Sequence, residues 1–188
     1  MSMYKHMQET FITEYKERSD AYKARIVKWN TEAPILRIDK PTNIARARKL
    51  GYKAKQGVIV VRVVVKGGKK KRKDPAGGRK PSKAGMYFSR RKSVQSIAEE
   101  RAARKFPNCE VLNSYFVGDA GSSKFYEVIL LDRANPTVLS DKAYVGVIGQ
   151  RNRVYRGLTS SGRKHRGLRM KSSTTAKFRP SKRQNLRN

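Results

Sequence analysis

No acidic residue follows Asp141: from Lys142 to Asn188 the chain carries only basic, polar and apolar side chains. A second stretch is nearly as one-sided. Between Asp39 and Glu99 the only acid is Asp74, while residues 40 to 98 hold 19 Lys and Arg. Over all 188 residues, 45 basic side chains face 14 acidic ones, a formal charge of +31. A solvated surface mixes the two signs, so segregation of this size marks segments dedicated to a polyanion. A compact body with such a charge repels itself unless a polyanion neutralises it. Nucleic acid fits best, because neutralised phosphates release their counterions and the repulsion becomes binding energy.

The apolar content of 37% lies below the roughly 45–50% of ordinary globular domains. A core can form, but not over the whole length. The longest apolar run, Val58 to Val65, is interrupted by Arg62 and is far too short to cross a bilayer. The opening MSMYKHMQETF has no signal core or cleavage site, so a soluble cytoplasmic protein is expected. The single cysteine, Cys109, excludes an internal disulfide framework and a cysteine-based zinc site. Beside Pro107-Asn108 it reads as a small, partly buried residue.

Apolar spacing divides the chain. Residues 3 to 30 have helical character, with Tyr4, Met7, Phe11 and Tyr15 in register, then Tyr22, Ile26 and Trp29 after a break at Ser19-Asp20. Ile35 to Ile38 reads as a short strand, and Ile44 to Leu50 as a short helix closed by Gly51. Val58 to Val65 is the strongest strand: Ile59, Val61, Val63 and Val65 form a core face, and Arg62 and Lys66 lie on the other, partly covered face. Residues 67 to 92 read as a structureless basic loop, a length that is usually functional. Ser93 suits an N-cap before the stripe Val94, Ile97, Ala98, Ala102 and Phe106, which Pro107 stops. Val111 to Val117 and Phe125 to Leu131 are strands joined by a hairpin loop over residues 118 to 124. Residues 133 to 188 show no sustained periodicity. The expected architecture is an α+β body over residues 1 to 148, with about four strands, and a basic extension over residues 149 to 188.

Catalytic chemistry is missing from this pattern. His6 and His165 lie in unrelated segments, and no zincin pair, serine elbow or dinucleotide fingerprint occurs. The 118–124 segment lacks the two-glycine spacing of a phosphate loop. Glu99 and Glu100 are adjacent on a helix, point apart, and read as charge balance rather than metal ligands. Neither an enzyme nor a cofactor nor a small-molecule substrate is expected. A free nucleic-acid regulator is the competing class, but no compact reading module stands out.

Phosphate binding is the chemistry present, through planar Arg forks and flexible Lys charges. Three groups carry it. Arg46, Arg48, Lys49, Tyr52, Lys53, Lys55 and Gln56 form the first, bracketed by Gly51 and Gly57 beside the strand at Val58. The second lies in the long loop: Lys69, Lys70, Lys71, Arg72, Lys73, Arg79, Lys80, Lys83, Arg90, Arg91 and Lys92. Its KKKRK run also resembles a nuclear localisation patch. The third comprises Arg151, Arg153, Arg156, Arg163, Lys164, His165, Arg166, Arg169 and Lys171, in a segment expected to order only on RNA. Tyr52, Tyr87, Phe88 and Tyr155 sit among these cations and suit stacking on unpaired bases, though Phe88 reads equally well as cover for the body's edge.

LGYKAKQG at 50 to 57, IAEERAARKFPN at 97 to 108, VLNSYFVG at 111 to 118, KFYEVILLD at 124 to 132 and RGLTSSGRKHRGL at 156 to 168 resemble the large-subunit ribosomal protein family fifteen of "e" type. GGRKPSKAGM at 77 to 86 is similar to the archaeal form of the family's long loop. The match runs in order over nearly the whole chain and departs at residues 12 to 33 and 133 to 152. The resemblance implies a mainly antiparallel sheet flanked by helices, with extensions threaded into large-subunit rRNA. It also implies neighbouring large-subunit proteins as partners, and neither membrane nor catalysis.

Overall fold

The computed structural model describes residues 2–169 apart from 72, 74, 75, 84, 86, 90 and 91. Its strands are β1 (Ile35–Ile38), β2 (Val58–Lys66), β3 (Lys70–Lys71), β4 (Tyr87–Phe88), β5 (Cys109–Ala120) and β6 (Ser123–Asp132). The helices are α1 (Met3–Glu17), α2 (Asp20–Thr31), α3 (Ile44–Lys49), α4 (Val94–Lys105), α5 (Pro136–Leu139), α6 (Lys142–Ile148) and α7 (Ser160–His165). The expected α+β class is the one observed: a four-stranded sheet in the order β1-β2-β6-β5, antiparallel throughout.

β2 sits inside this sheet and is covered on both faces, which explains why valines occupy both its odd and its even positions. Val61, Val63 and Val65 pack with Val128 and Leu130 of β6 and with Ala98 and Ala102 of α4. On the opposite face Val58 and Val64 join Trp29 of α2, Ala47 of α3, and Phe125 and Ile129 of β6. The result is three layers: α4, the sheet, and the α1–α3 group. Arg62 lies in this second interface, its guanidinium 4.6 Å from the Trp29 ring centroid and paired with Glu32. Its charge is thus satisfied by an aromatic face and a carboxylate in a place too covered for water to do so.

The helical hairpin breaks where the spacing predicts. Arg18 takes a left-handed φ of 54°, and Ser19 caps α2 by accepting from the Tyr22 N–H at 3.3 Å. Arg18 also bonds Asp119 at 2.8 Å, fastening this turn to the tip of β5.

Three expectations are corrected in detail. The β5–β6 connection is a two-residue turn, Gly121-Ser122, instead of a seven-residue loop, because Gly118 to Ala120 continue the ladder opposite Ser123 to Phe125. Gly118 fits there because a Cβ would lie 3.0 Å from the Tyr22 hydroxyl. The long basic loop is not structureless throughout: β3 and β4 pair Lys70 with Phe88 and Lys71 with Tyr87, and Pro81–Lys83 form a 3-10 turn. The aperiodic segment after residue 133 folds into α5, α6 and α7. These are capped by Asn135, Asp141 and Thr159 side chains, and are too short to show a period.

The first part of the 149–188 segment also lies against the body. Val154 joins the α4-side core, and Thr159 and Ser161 are buried. Their partner is Glu99, which is fully buried and accepts hydroxyls from Ser114, Thr159 and Ser161. Glu99 is therefore an internal tie between helix, sheet and C-terminal segment, not surface charge balance. Glu100 does balance charge, pairing with Lys92 at 2.6 Å.

Candidate nucleic-acid interface

The 46–56 group is mounted on the α1–α3 face. The Asn43 side chain caps α3 by accepting from the Arg46 N–H at 2.8 Å, and Arg46, Arg48 and Lys49 fill its last turn. Gly51 and Gly57, at φ of 99° and 82°, turn the chain on either side of the following loop. That loop is held by α5 and α6: Tyr144 Oη donates to Gly51 O at 2.7 Å, and Thr137 Oγ1 donates to Gln56 O at 2.7 Å. Lys53 and Lys55 are exposed, yet both ammonium groups reach Asp141, at 2.6 and 3.2 Å. Those bonds, Lys53 first, and the Ala143 N–H lower the Asp141 pKa to about 2. Arg48 lies over Tyr4 and bonds its hydroxyl, while Lys49 is exposed. Tyr52 packs against the core cluster containing Trp29 and Phe125, so its ring is partly spent on the fold.

In the long loop, Lys69, Lys73, Arg79, Lys80, Lys83 and Lys92 are exposed. Lys70 and Lys71 lie on β3, and Arg72, Arg90 and Arg91 fall outside the described residues. Tyr87 on β4 is 63% exposed, so an aromatic ring stands free amid these cations.

The 149–169 segment follows the opposite, α4 side of the sheet. Arg151, Arg163, Lys164 and His165 are exposed, whereas Arg153, Arg156 and Arg166 are partly buried. Arg153 donates to Val111 O at 2.7 Å, Arg166 to Gly157 O at 3.0 Å, and Arg156 to Arg151 O at 3.0 Å. Burial lowers the pKa of Arg153 and of Arg166. These arginines shape the segment from within, and the Nε atoms of Arg153 and Arg166 are buried without a hydrogen-bond partner among the described residues. Arg169 bonds the Ser160 hydroxyl, and Lys171 lies outside the described residues.

Sequence patterning missed one cationic surface. The stripe that buries Ala98 and Ala102 turns Arg101, Arg104 and Lys105 outward on α4. Arg101 donates to Val64 O at 2.9 Å and Lys105 to Ile35 O at 2.8 Å, so both stems are pinned along the sheet. Helical spacing alone would have found them. Also missed was Glu127, fully buried and bonded by Thr42 and Tyr115. Burial raises its pKa, against those hydrogen bonds and Arg62.

Cys109 is buried, which pushes its thiol up to about 11. Among the described residues no group of His, Cys, Asp or Glu is arranged to hold a metal, and no helix is long and apolar enough to cross a membrane.

Two curated relatives are close over most of the chain, both of them archaeal. The large ribosomal subunit protein eL15 of Picrophilus torridus is 51% identical over 177 residues, covering 91% of each chain. The protein of the same name from Methanocorpusculum labreanum is 50% identical over 158 residues, covering 84% of this chain and 81% of its own. The family model described as Ribosomal L15, of the L15e type, matches residues 2–185, and with sheet, capped helices and cationic segments all in place the chain belongs to that family.

Proposed function

We propose that this chain is a structural, non-catalytic component of the large ribosomal subunit that binds and stabilises large-subunit rRNA. The observation that carries this reading is the placement of two cationic segments on opposite faces of one sheet: residues 46–56 beside α3, and residues 149–169 beside α4. RNA elements approaching from both sides would find exposed charges. On one side these are Lys49, Lys53 and Lys55, and on the other Arg151, Arg163 and Lys164, with the exposed His165 ring beside them in sequence. The exposed lysines of the long loop add to this surface, and the basic residues of the sequence from 170 to 188, outside the described residues, add to the charge available for rRNA. Neighbouring large-subunit proteins complete the set of partners.

The test is sedimentation of the native protein together with binding of the purified protein to large-subunit rRNA fragments. The protein should travel with the large subunit and resist a mild salt wash. Affinity for rRNA should fall steeply with salt, with a log–log slope of roughly −0.7 to −0.9 per phosphate neutralised. Free sedimentation, or affinity that ignores salt, overturns the proposal.

A further inference from the structure

We infer that the cleft beside Tyr155 receives one unpaired guanine base of RNA. This rests on the rRNA reading and names a site within it. The cleft has a volume of about 180 Å³ and lies between the end of α4, the start of β5 and the 150–155 turn. It is smaller than the roughly 300–1,000 Å³ that drug-sized ligands fill, which suits a single flat ring system. Its chemistry comes from six residues: Arg104, Pro107, Glu110, Asn152, Val154 and Tyr155.

Each does something a base requires. Tyr155 is 45% exposed and lines the cleft, and its hydroxyl reaches Glu100 O at 3.4 Å, so an aromatic ring is available at the cleft. Pro107 and the buried Val154 supply apolar walls. Unpaired RNA bases are recognised by stacking on such rings and by hydrogen bonds to their Watson–Crick edges. Asn152, at a left-handed φ of 57°, makes the turn, and its O accepts from the Tyr155 N–H at 3.1 Å.

Glu110 supplies the selectivity. Its residue is only 7% exposed, and its Oε1 accepts the Asn152 N–H at 2.7 Å. Oε2 takes no hydrogen bond among the described residues and is not sealed from solvent. The Arg153 charge lies close enough to Glu110 to offset it electrostatically without occupying that oxygen. A carboxylate only accepts, its two oxygens offer about four lone-pair sites of which the Asn152 N–H takes one, and it accepts best from two adjacent donors. Guanine presents such a pair, N1–H and the N2 amino group, on one edge. Adenine and cytosine offer one amino group there, and uracil one imino N–H. In a chain of charge +31, an acid at an RNA surface repels phosphates, so its favourable contact is a base edge. Arg104, exposed at the mouth and without a partner among the described residues, is placed for the flanking phosphate.

The experiment compares the full-length protein binding a short oligoadenylate with binding the same oligomer carrying one central guanine. At fixed moderate salt the guanine oligomer should bind about tenfold more tightly, the discrimination a bidentate base contact provides. Glu110→Gln should abolish that preference while keeping the salt-dependent affinity. Tyr155→Ala, on the surface, should weaken binding of the guanine oligomer most. Salt-dependent binding of both oligomers with equal affinity overturns the cleft and leaves the rRNA reading standing, as does a preference that survives in Glu110→Gln. Failure of either oligomer to bind in a salt-dependent way removes both.

Discussion

Thr159 Oγ1 donates to Glu99 Oε2 at 2.6 Å, joining residues 60 apart in the chain inside a site from which water is excluded. Ser114 and Ser161 complete the shell of this carboxylate, so one side chain holds α4, β5 and the start of α7 together. Glu99→Ala leaves three buried hydroxyls without their acceptor, at about 1–3 kcal/mol for each unsatisfied group. Partial rearrangement lowers the sum, and a loss of about 3 kcal/mol is expected in denaturant unfolding. Glu99→Gln should cost less, because hydroxyls can rotate to accept from the amide. An alanine variant within about 0.5 kcal/mol of the parent, the range of neutral surface changes, would show that the tie carries no weight.

The same tie decides how a protease meets the C-terminal segment. The sequence from 149 to 169 is basic enough to read as an open chain, yet Val154 is in the core and α7 is docked. Trypsin should therefore cut slowly after Arg153 and Arg156 in the free protein, despite their number of charged neighbours. In Glu99→Ala these two sites should open before the body is digested. Rapid cleavage there in the parent protein would contradict the docked arrangement.

On the proposed rRNA reading, Asp141 would compete with RNA for Lys53 and Lys55. It would do so while capping α6, accepting the Ala143 N–H at 3.1 Å. Asp141→Asn keeps a good N-cap and removes the negative charge. Affinity for an rRNA fragment should rise a few-fold at low salt, with the gain shrinking as salt screens it. Weaker binding at every salt would place these lysines away from the RNA. The lowered pKa also has a consequence for stability. The bonds to Asp141 stabilise the fold above its ordinary value of 3.8 and are lost as pH falls toward about 2. The Asn variant should therefore lack that part of the acid-induced loss.

Glu127 works in the opposite sense. Burial raises its pKa above the ordinary 4.5, so the folded state holds its proton more tightly than the unfolded state does. Its contribution to stability is fully present below about 4.5 and is lost as pH rises through the raised folded value. Melting curves of the parent and of Glu127→Gln, taken from pH 4.5 upward, should separate the effect. The parent should lose stability relative to the variant as pH rises. Parallel curves would mean that Glu127 titrates normally.

Much of this was legible in advance where a period or a cap repeats. The apolar run of β2, the Ala98–Ala102 stripe of α4 and the Ser19 cap each express burial or capping through local sequence. The elements after residue 133 did not, because four to seven residues make less than two turns and leave only Asn135, Asp141 and Thr159 as signals. The family resemblance was carried by whole words of sequence, independent of such periods. At the candidate interface, residue type located cations but not their partners. Lys53 and Asp141 are 88 residues apart, and Glu99 and Thr159 are 60 apart, so only the folded chain shows which charges are already engaged.

Trp29, pressed between the Arg62 guanidinium and the Phe125 ring, is the chain's only tryptophan. Its emission is therefore an optical gauge of a single contact, the seating of α2 on the sheet. The α4 face, where Val154 and the C-terminal segment dock, contributes nothing to that signal. Unfolding followed at once by tryptophan emission and by far-ultraviolet circular dichroism will report whether the two helical layers leave the sheet together. If the emission shifts first, the N-terminal hairpin peels away while the α4 side still holds.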